Sequence, residues 1–404
     1  MKTHEIKLIN GEIAKIIDTD KFKVLKSKEY NFYFNKETGF FVRFGLGDYT
    51  NKKRKLSKLE LEIYLMWCNI WKTKFNIQEF ALDLDTDGND RLFLPNIADI
   101  EISTRCKGVS INGSRPSPCK MCYKSNTNNG IYMTTENFIN IADKLSPLCS
   151  QIALGIGNID QPNLFEIMDV CLEKGIIPNI TINGYGMTTE IYDKLAERCG
   201  AISVSYYDKD LCFDAIHELA TIRNMKQINI HAYTAENSFE TVLQLIDDLQ
   251  TDERVKNMNA VVLLQAKIRG NAKINNHTQL SQEKFNILSQ KLLKSGILYG
   301  SDSCGAFKTL ESFKNEPNIK DMEASVMSCE SSIESCYINV NGDYFPCSFS
   351  EGIDSNGLNW VNGLSVLDCN NFFEDIWFHE RTRQFSESVL ECRKCKKSCP
   401  IFEI

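Results

Sequence analysis

The stretch "DIEISTRCKGVSINGSRPSPCKMC", residues 99–122, runs from a β-like segment straight into a loop holding three cysteines. Cys119 and Cys122 form a C-x2-C pair, and Cys106 stands off by twelve residues rich in Gly, Ser, Pro and Asn. The strand-then-cysteine order repays reading outward, because further β-like runs follow at regular intervals.

These are "QIALGI" (151–156), "PNITIN" (178–183), "AISVSY" (201–206), "QINIHA" (227–232) and "AVVLLQ" (260–265). Amphipathic helical segments lie between them. In 134–146, Phe138, Ile141, Ala142 and Leu145 share a face, and in 162–174 Leu164, Ile167, Met168, Cys171 and Leu172 do so. Two helices open with Met-Thr-Thr-Glu, at 133–136 and 187–190, where a Thr N-cap and an early Glu suit the positive helix end. Strand–helix alternation at this spacing gives βαβ units and a parallel α/β sheet, either open or rolled into a partial barrel. Ligands of both architectures gather beyond the C-terminal ends of the strands, where the three cysteines lie.

Composition sets the outer limits. The 404 residues include 43% hydrophobic and 25% charged, with a formal net charge of −7, so a soluble globular protein without avid non-specific nucleic-acid binding is expected. The basic run 51–58 reads as a solvated face. No apolar run approaches a spanning helix, and the first residues lack an apolar signal core, so the expected location is the cytoplasm. In such a reducing compartment the 16 cysteines read as metal or Fe–S ligands where they cluster. Cys68, Cys149, Cys171, Cys199 and Cys212, scattered among apolar residues, read as buried small hydrophobes.

Residues 1–95 read as a separate α+β cap. It holds an aromatic hairpin at 30–45 and an amphipathic helix at 55–75. "DLDTDGND" (83–90) lacks the bidentate Glu of a calcium loop, since Leu94 stands at position twelve, and reads as a turn.

The loop 106–122 supplies three thiols, and the nearest histidines in sequence are His4 and His217. A structural zinc or a cubane [4Fe–4S] cluster takes four protein ligands. Three leave one coordination position open to a small molecule, the mark of a catalytic metal site. These residues resemble the radical S-adenosylmethionine (SAM) superfamily, whose cluster motif follows strand one of a partial (β/α)6 TIM-like barrel and most often spaces its cysteines C-x3-C-x2-C. The resemblance implies a [4Fe–4S] cluster on Cys106, Cys119 and Cys122, with SAM on the open iron and Met121 beside the adenine. The first gap is twelve residues instead of three. Fourfold lengthening of a loop costs only about 1.2 kcal/mol in closure entropy, against the roughly 10 kcal/mol or more that a bound metal contributes. The resemblance further implies that the turn Gly155-Ile156-Gly157 contacts the SAM amino group, without the acid usual at its third position; Asp160 lies three residues beyond Gly157. By topology, Ser205 and Lys267 are placed to meet the SAM ribose and carboxylate, and His231 to reach substrate or serve as a structural histidine.

A second cysteine set follows the sixth unit, at 304, 329, 336, 347, 369, 392, 395 and 399. Asn341-Gly342 signals a two-residue hairpin that would make Cys336 and Cys347 cross-strand neighbours. The segment resembles the SPASM/twitch extension of peptide-modifying radical SAM enzymes, with Cys329, Gly342 and Cys347 fitting C-x9–15-G-x4-C. One cysteine of the next family element is missing, so one auxiliary [4Fe–4S] cluster is implied, on Cys304, Cys329, Cys347 and Cys399. Cys336, Cys392 and Cys395 are held in reserve, with a zinc knuckle at 392–399 as an alternative, and Cys369 reads as a buried thiol.

The expected domains are a cap (1–95), a radical SAM partial barrel (96–296) and a cysteine-rich extension (297–404). The expected activity is reductive SAM cleavage followed by hydrogen abstraction from a peptide, protein or small-molecule substrate, supported by an electron donor such as flavodoxin or ferredoxin. A nucleotide- or nucleic-acid-modifying enzyme of the same chemistry, and a non-enzymatic metal- or Fe–S-binding interaction protein, are the alternatives.

Overall fold

Each of the six β-like runs forms a strand, and the burial of alternate residues shows why. A computed structural model of the chain describes residues 2–7, 13–20, 22–26, 30–35, 41–45, 95–146, 149–317, 319, 326 and 328–402. The chain divides into two compact units, Met1–Leu94 with Lys320–Ser325, and Pro95–Ile319 with Val326–Ile404.

In the first unit five strands form an antiparallel meander: β1 (Lys2–Lys7), β2 (Ile13–Asp18), β3 (Phe22–Lys26), β4 (Tyr30–Asn35) and β5 (Phe41–Gly45). Ala14, Ile16 and Val24 are fully buried. The aromatic hairpin expected at 30–45 is β4 paired with β5, Phe34 opposite Phe41. The helix expected at 55–75, the basic run, Cys68 and the 83–90 turn lie outside the described residues.

The second unit is built on a ten-stranded sheet. Its parallel strands in chain order are β6 (Ile97–Glu101), β7 (Gln151–Gly155), β8 (Ile177–Ile182), β9 (Ile202–Ser205), β10 (Ile228–Thr234), β11 (Ala260–Gln265) and β12 (Tyr299–Ser301). They are neighbours in that same order. The C-terminal part then adds β13 (Ser335–Ile338), parallel to β6 on its free edge, and β14 (Asp343–Phe345), antiparallel to β13. A two-residue strand, Leu364–Ser365, closes the row.

Helices α1 (Thr135–Leu145), α2 (Leu164–Glu173), α3 (Thr189–Arg198), α4 (Lys209–Ile216), α5 (Phe239–Leu249), α6 (Gly270–Ile274) and α7 (Gln282–Ser295) lie between the strands. The two Met-Thr-Thr-Glu phrases act as expected: Thr134 and Thr188 accept hydrogen bonds from the N–H groups of Asn137 and Ile191. One face of the sheet packs under these helices through Ala98, Ile100, Ile152, Leu154, Ile202, Val204, Ile230 and Leu263, all within 2% of full burial. Burying that face drives the fold, at about 25 cal/mol per Å² of apolar surface. Residues of the opposite, inner face remain partly open: Asp99, Asn179, Ser203, Ser205, Asn229 and His231 alternate with the buried set. This is an open α/β partial barrel with a polar inner face, not a closed one.

The hairpin between β13 and β14 corrects the expected register. Tyr337 pairs with Phe345 and Ile338 with Tyr344, so Cys336 falls opposite Pro346, one residue away from Cys347. The Gly342 N–H bonds the Asn339 carbonyl at 2.9 Å and Gly342 has φ +85°, which makes a three-residue loop with a left-handed glycine. A slip of one residue sends successive side chains to opposite faces. Cys336 therefore packs toward the helix side near Cys149, while Cys347 points away from it. Cys149, Cys171, Cys199 and Cys212 are buried, as expected for small hydrophobes.

Candidate functional site

The loop after β6 is a hairpin excursion that returns the chain to where it left. Val109 and Ser117 exchange backbone hydrogen bonds of 3.1 and 3.2 Å, and the Asn112-Gly113 tip has positive φ at both residues. The twelve residues between Cys106 and Cys119 are thus folded back on themselves, and the two cysteines meet at the hairpin base. The loop after β7 secures that base. The Asn158 side chain accepts from the Lys107 N–H (2.6 Å) and donates to the Gly108 carbonyl (2.9 Å), and Asp160 pairs with the Lys107 ammonium. At the tip, the Asn112 N–H donates to Asp208, the N-cap of α4, at 2.8 Å.

Gly157 lies directly behind Cys106. A Cβ at this position would stand 2.6 Å from the Cys106 Cβ and collide with the Arg105 carbonyl. Gly155 ends β7, where a Cβ would stand 3.2 Å from the Glu101 α-carbon. The C-x2-C turn is closed by a Cys122 N–H bond to the Cys119 carbonyl (3.2 Å). Asn271 of α6 then clamps it, its backbone N–H donating to the Cys122 carbonyl (2.9 Å) and its amide to the Cys119 carbonyl (3.1 Å). Met121 is half-buried within this turn.

The three thiols are half-buried and close enough to act on one another electrostatically. Burial first, then the charges of Cys106 and Cys122, pushes the Cys119 thiol up to about 12; burial likewise raises Cys106. Tyr207, just beyond β9, faces all three and is hydrogen-bonded to Ser205, which puts Ser205 beside the cysteine loop. Arg105, adjacent to Cys106, has a buried Nε with no acceptor.

Lys267 is 4% exposed and lies elsewhere, against the second cysteine set. It pairs with Asp302 at 2.5 Å, touches Cys304, and stands 4.8 Å over the Phe349 ring. His231 occupies the inner face, where desolvation lowers it to about 4 and keeps the imidazole neutral at physiological pH.

Of the C-terminal cysteines, the structure brings Cys304, Cys329, Cys347 and Cys399 into one neighbourhood. Burial chiefly raises the Cys304 and Cys399 thiols, and Cys329 and Cys347 each raise both further. The Cys347 sulfur accepts from the N–H groups of Phe349 and Ser350 and the hydroxyls of Ser350 and Ser331; the Cys399 sulfur accepts from the N–H groups of Ile401 and Phe402. Such donors stabilise a thiolate over a thiol. Cys392 and the exposed Cys395 interact with each other at the end of α9 (Glu380–Lys394), which follows α8 (Ala306–Ser312) in the chain. Cys369 is half-buried and donates to the Val366 carbonyl at 3.2 Å.

Between the two cysteine sets runs a buried polar network absent from the sequence reading. Lys124, two residues past Cys122, pairs with Glu101 (3.4 Å), Glu351 and the Tyr337 hydroxyl. Tyr337 also donates to Glu101 at 3.0 Å, and Asn339 donates to Glu351 at 2.9 Å. Tyr123 lies 4.4 Å from the ring of Phe349, two residues past Cys347, and Arg269 donates to the carbonyls of Phe349 and Glu351. The motif loop and the extension are thus joined at the C-terminal ends of the strands.

Both thiol sets fit an iron–sulfur cluster by their donor chemistry. They are sulfur-only, desolvated and, at the first site, without a cation paired to them: Lys107 and Lys124 are both taken by carboxylates. Bare thiols so raised stay protonated, and a bound metal centre deprotonates them. Among the described residues no three His, Cys, Asp or Glu side chains converge on a single-ion position.

The fold is an open α/β partial barrel with three cysteines gathered in the loop past its first strand. No family model and no curated protein matches the sequence. Among solved structures the chain is similar in fold to SuiB of Streptococcus suis. The TM-score is 0.61 at 13% identity for SuiB alone, 0.60 at 14% for SuiB bound to the precursor peptide SuiA, and 0.58 at 15% for SuiB bound to S-adenosylmethionine. In each the match covers 96% of this chain and 98% of the other. Among the described residues no helix is long and apolar enough to cross a membrane.

Proposed function

We propose that the protein is a radical SAM enzyme that modifies a peptide or protein. The observation that carries this reading is the three-thiol loop at the C-terminal end of the first strand, with its insertion folded away so that Cys106, Cys119 and Cys122 stand together and one ligand short. The likeness in fold to SuiB, solved with SAM and with a precursor peptide, supports the peptide over a nucleotide. In this reading those three cysteines hold a [4Fe–4S] cluster and Cys304, Cys329, Cys347 and Cys399 hold an auxiliary one. Bound to the three-cysteine site, the cluster supplies the electron that cleaves SAM to methionine and a hydrogen-abstracting 5′-deoxyadenosyl radical.

The chain's own residues bind and orient. Gly155 and Gly157 let the backbone approach the SAM amino group, Met121 flanks the adenine, and Ser205, held by Tyr207, meets the ribose. Lys267, already engaged by Asp302, serves the boundary with the auxiliary site, and Arg105, over the Tyr132 ring and with its Nε lacking an acceptor, is the better partner for the SAM carboxylate. The polar inner face receives the substrate, and a flavodoxin or ferredoxin supplies electrons.

Anaerobic reconstitution with iron and sulfide tests the reading: about eight irons per chain are expected for two cubanes, and a count near four or below contradicts the two-cluster assignment. Gly157→Ala tests the first site separately. Its methyl group displaces Cys106, so iron at the first site falls while the auxiliary site keeps its own; an unchanged count would show that Cys106 does not ligate.

A further inference from the structure

The inner face of β6–β11 carries two carboxylates, Asp99 and Glu101, and no lysine or arginine. Glu101 is neutralised by Lys124 and Tyr337. Asp99 is not. It is accessible to water yet enclosed by protein, and burial alone raises its carboxyl to about 6, with no hydrogen bond or ion pair offsetting it.

Among the described residues its surroundings offer no internal partner. Tyr337 on β13 and Ala153 on β7 are its cross-strand neighbours. On its own face the titratable groups near it are the phenols of Tyr123 and Tyr337 and the Glu101 carboxyl, and the Cys336 thiol acts on it from the other side of the sheet. None of these is a cation. Among the described residues, Lys124 is committed to Glu101 and Glu351, Lys267 to Asp302, Arg269 to two carbonyls, and the Arg105 guanidinium lies over the Tyr132 ring. An enclosed carboxylate without a partner opposes folding, and an incoming cation relieves it.

We propose that Asp99 is the recognition group for a cationic side chain of the substrate, an alkylammonium or guanidinium reaching into the inner face. Asn179, Ser203 and Asn229 line the same face and supply uncharged hydrogen-bonding partners. The proposal rests on the enzyme reading for the word substrate, but its test does not use SAM cleavage, so either can fail alone.

The probes are N-acetyl-lysine methylamide and its uncharged counterpart N-acetyl-norleucine methylamide, titrated by NMR into the whole protein at pH 7.5 and matched ionic strength. Wild type is expected to prefer the lysine probe about tenfold, and Asp99→Asn to lose that preference. The preference also fades as pH falls through about 6 and Asp99 takes up its proton. Folding of the variant is checked by its own thermal stability. Because the folded-state carboxyl is raised from 3.8 to about 6, wild type loses stability as pH rises through that window. Asp99→Asn escapes this loss, so its Tm exceeds wild type above pH 6 and converges with it below pH 4. Equal binding of the two probes by wild type, no binding of either, or an undiminished preference in Asp99→Asn would overturn the proposal.

Discussion

Cys119→Ala is expected to remove about four irons per chain and abolish SAM cleavage, while the auxiliary cluster's iron stays. Cys119 sits at the hairpin base beside Cys106 and opens the C-x2-C turn that Asn271 clamps. Two thiolates cannot hold a cubane against solvent, so the loss is all-or-none at that site. The remaining four cysteines lie on β12–α8, the 329–347 hairpin and the C-terminal tail, none of which depends on Cys119. Iron analysis alongside quantification of 5′-deoxyadenosine separates the two sites. Loss of all iron, or of none, would show that the sites are not independent or that Cys119 is not a ligand.

Lys124→Met is expected to destabilise the second unit by about 3 kcal/mol, because removing one partner of a buried ion pair leaves uncompensated charge. The Lys124 side chain is 15% exposed and that of Glu101 7%. Burial already raises the Glu101 carboxyl, and Lys124 is the main group opposing that shift. Without the lysine the carboxyl rises further, so the deficit is largest above neutral pH and shrinks as acid protonates Glu101. Lys124→Met with Glu101→Gln recovers part of the loss. Thermal melts across pH check this, with Tm several degrees lower in the single variant at pH 8 than in wild type. An equal deficit at every pH would assign the effect to packing.

The parallel sheet was legible because each strand announces itself twice, by a β-like run and by the amphipathic helix behind it. Thr134 and Thr188 were legible as caps for the same local reason. What escaped the sequence depends on contacts between distant segments. Nothing local in "GNID" says that Asn158 and Asp160 pin the base of a hairpin fifty residues earlier. Nor does "CYK" announce that Lys124 will meet Glu351. The Asn341-Gly342 pair read as a two-residue turn, but Gly342 takes the left-handed position closing a three-residue loop, and that single residue moved Cys336 from beside Cys347 to the opposite face. Lys267 read, by topology, as a partner for the SAM carboxylate after the sixth strand; Asp302, thirty-five residues on, pairs with it. The four auxiliary cysteines became neighbours through three separate segments whose chain order alone does not fix their meeting.

The most direct test of the central claim is SAM turnover by the anaerobically reconstituted, dithionite-reduced protein beside a variant with Cys106, Cys119 and Cys122 all replaced by alanine. Wild type should yield 5′-deoxyadenosine and methionine in equal amounts, and the triple variant neither, although it retains its auxiliary iron. A fully loaded, reduced wild type that leaves SAM intact, or a triple variant that still cleaves it, would contradict the account.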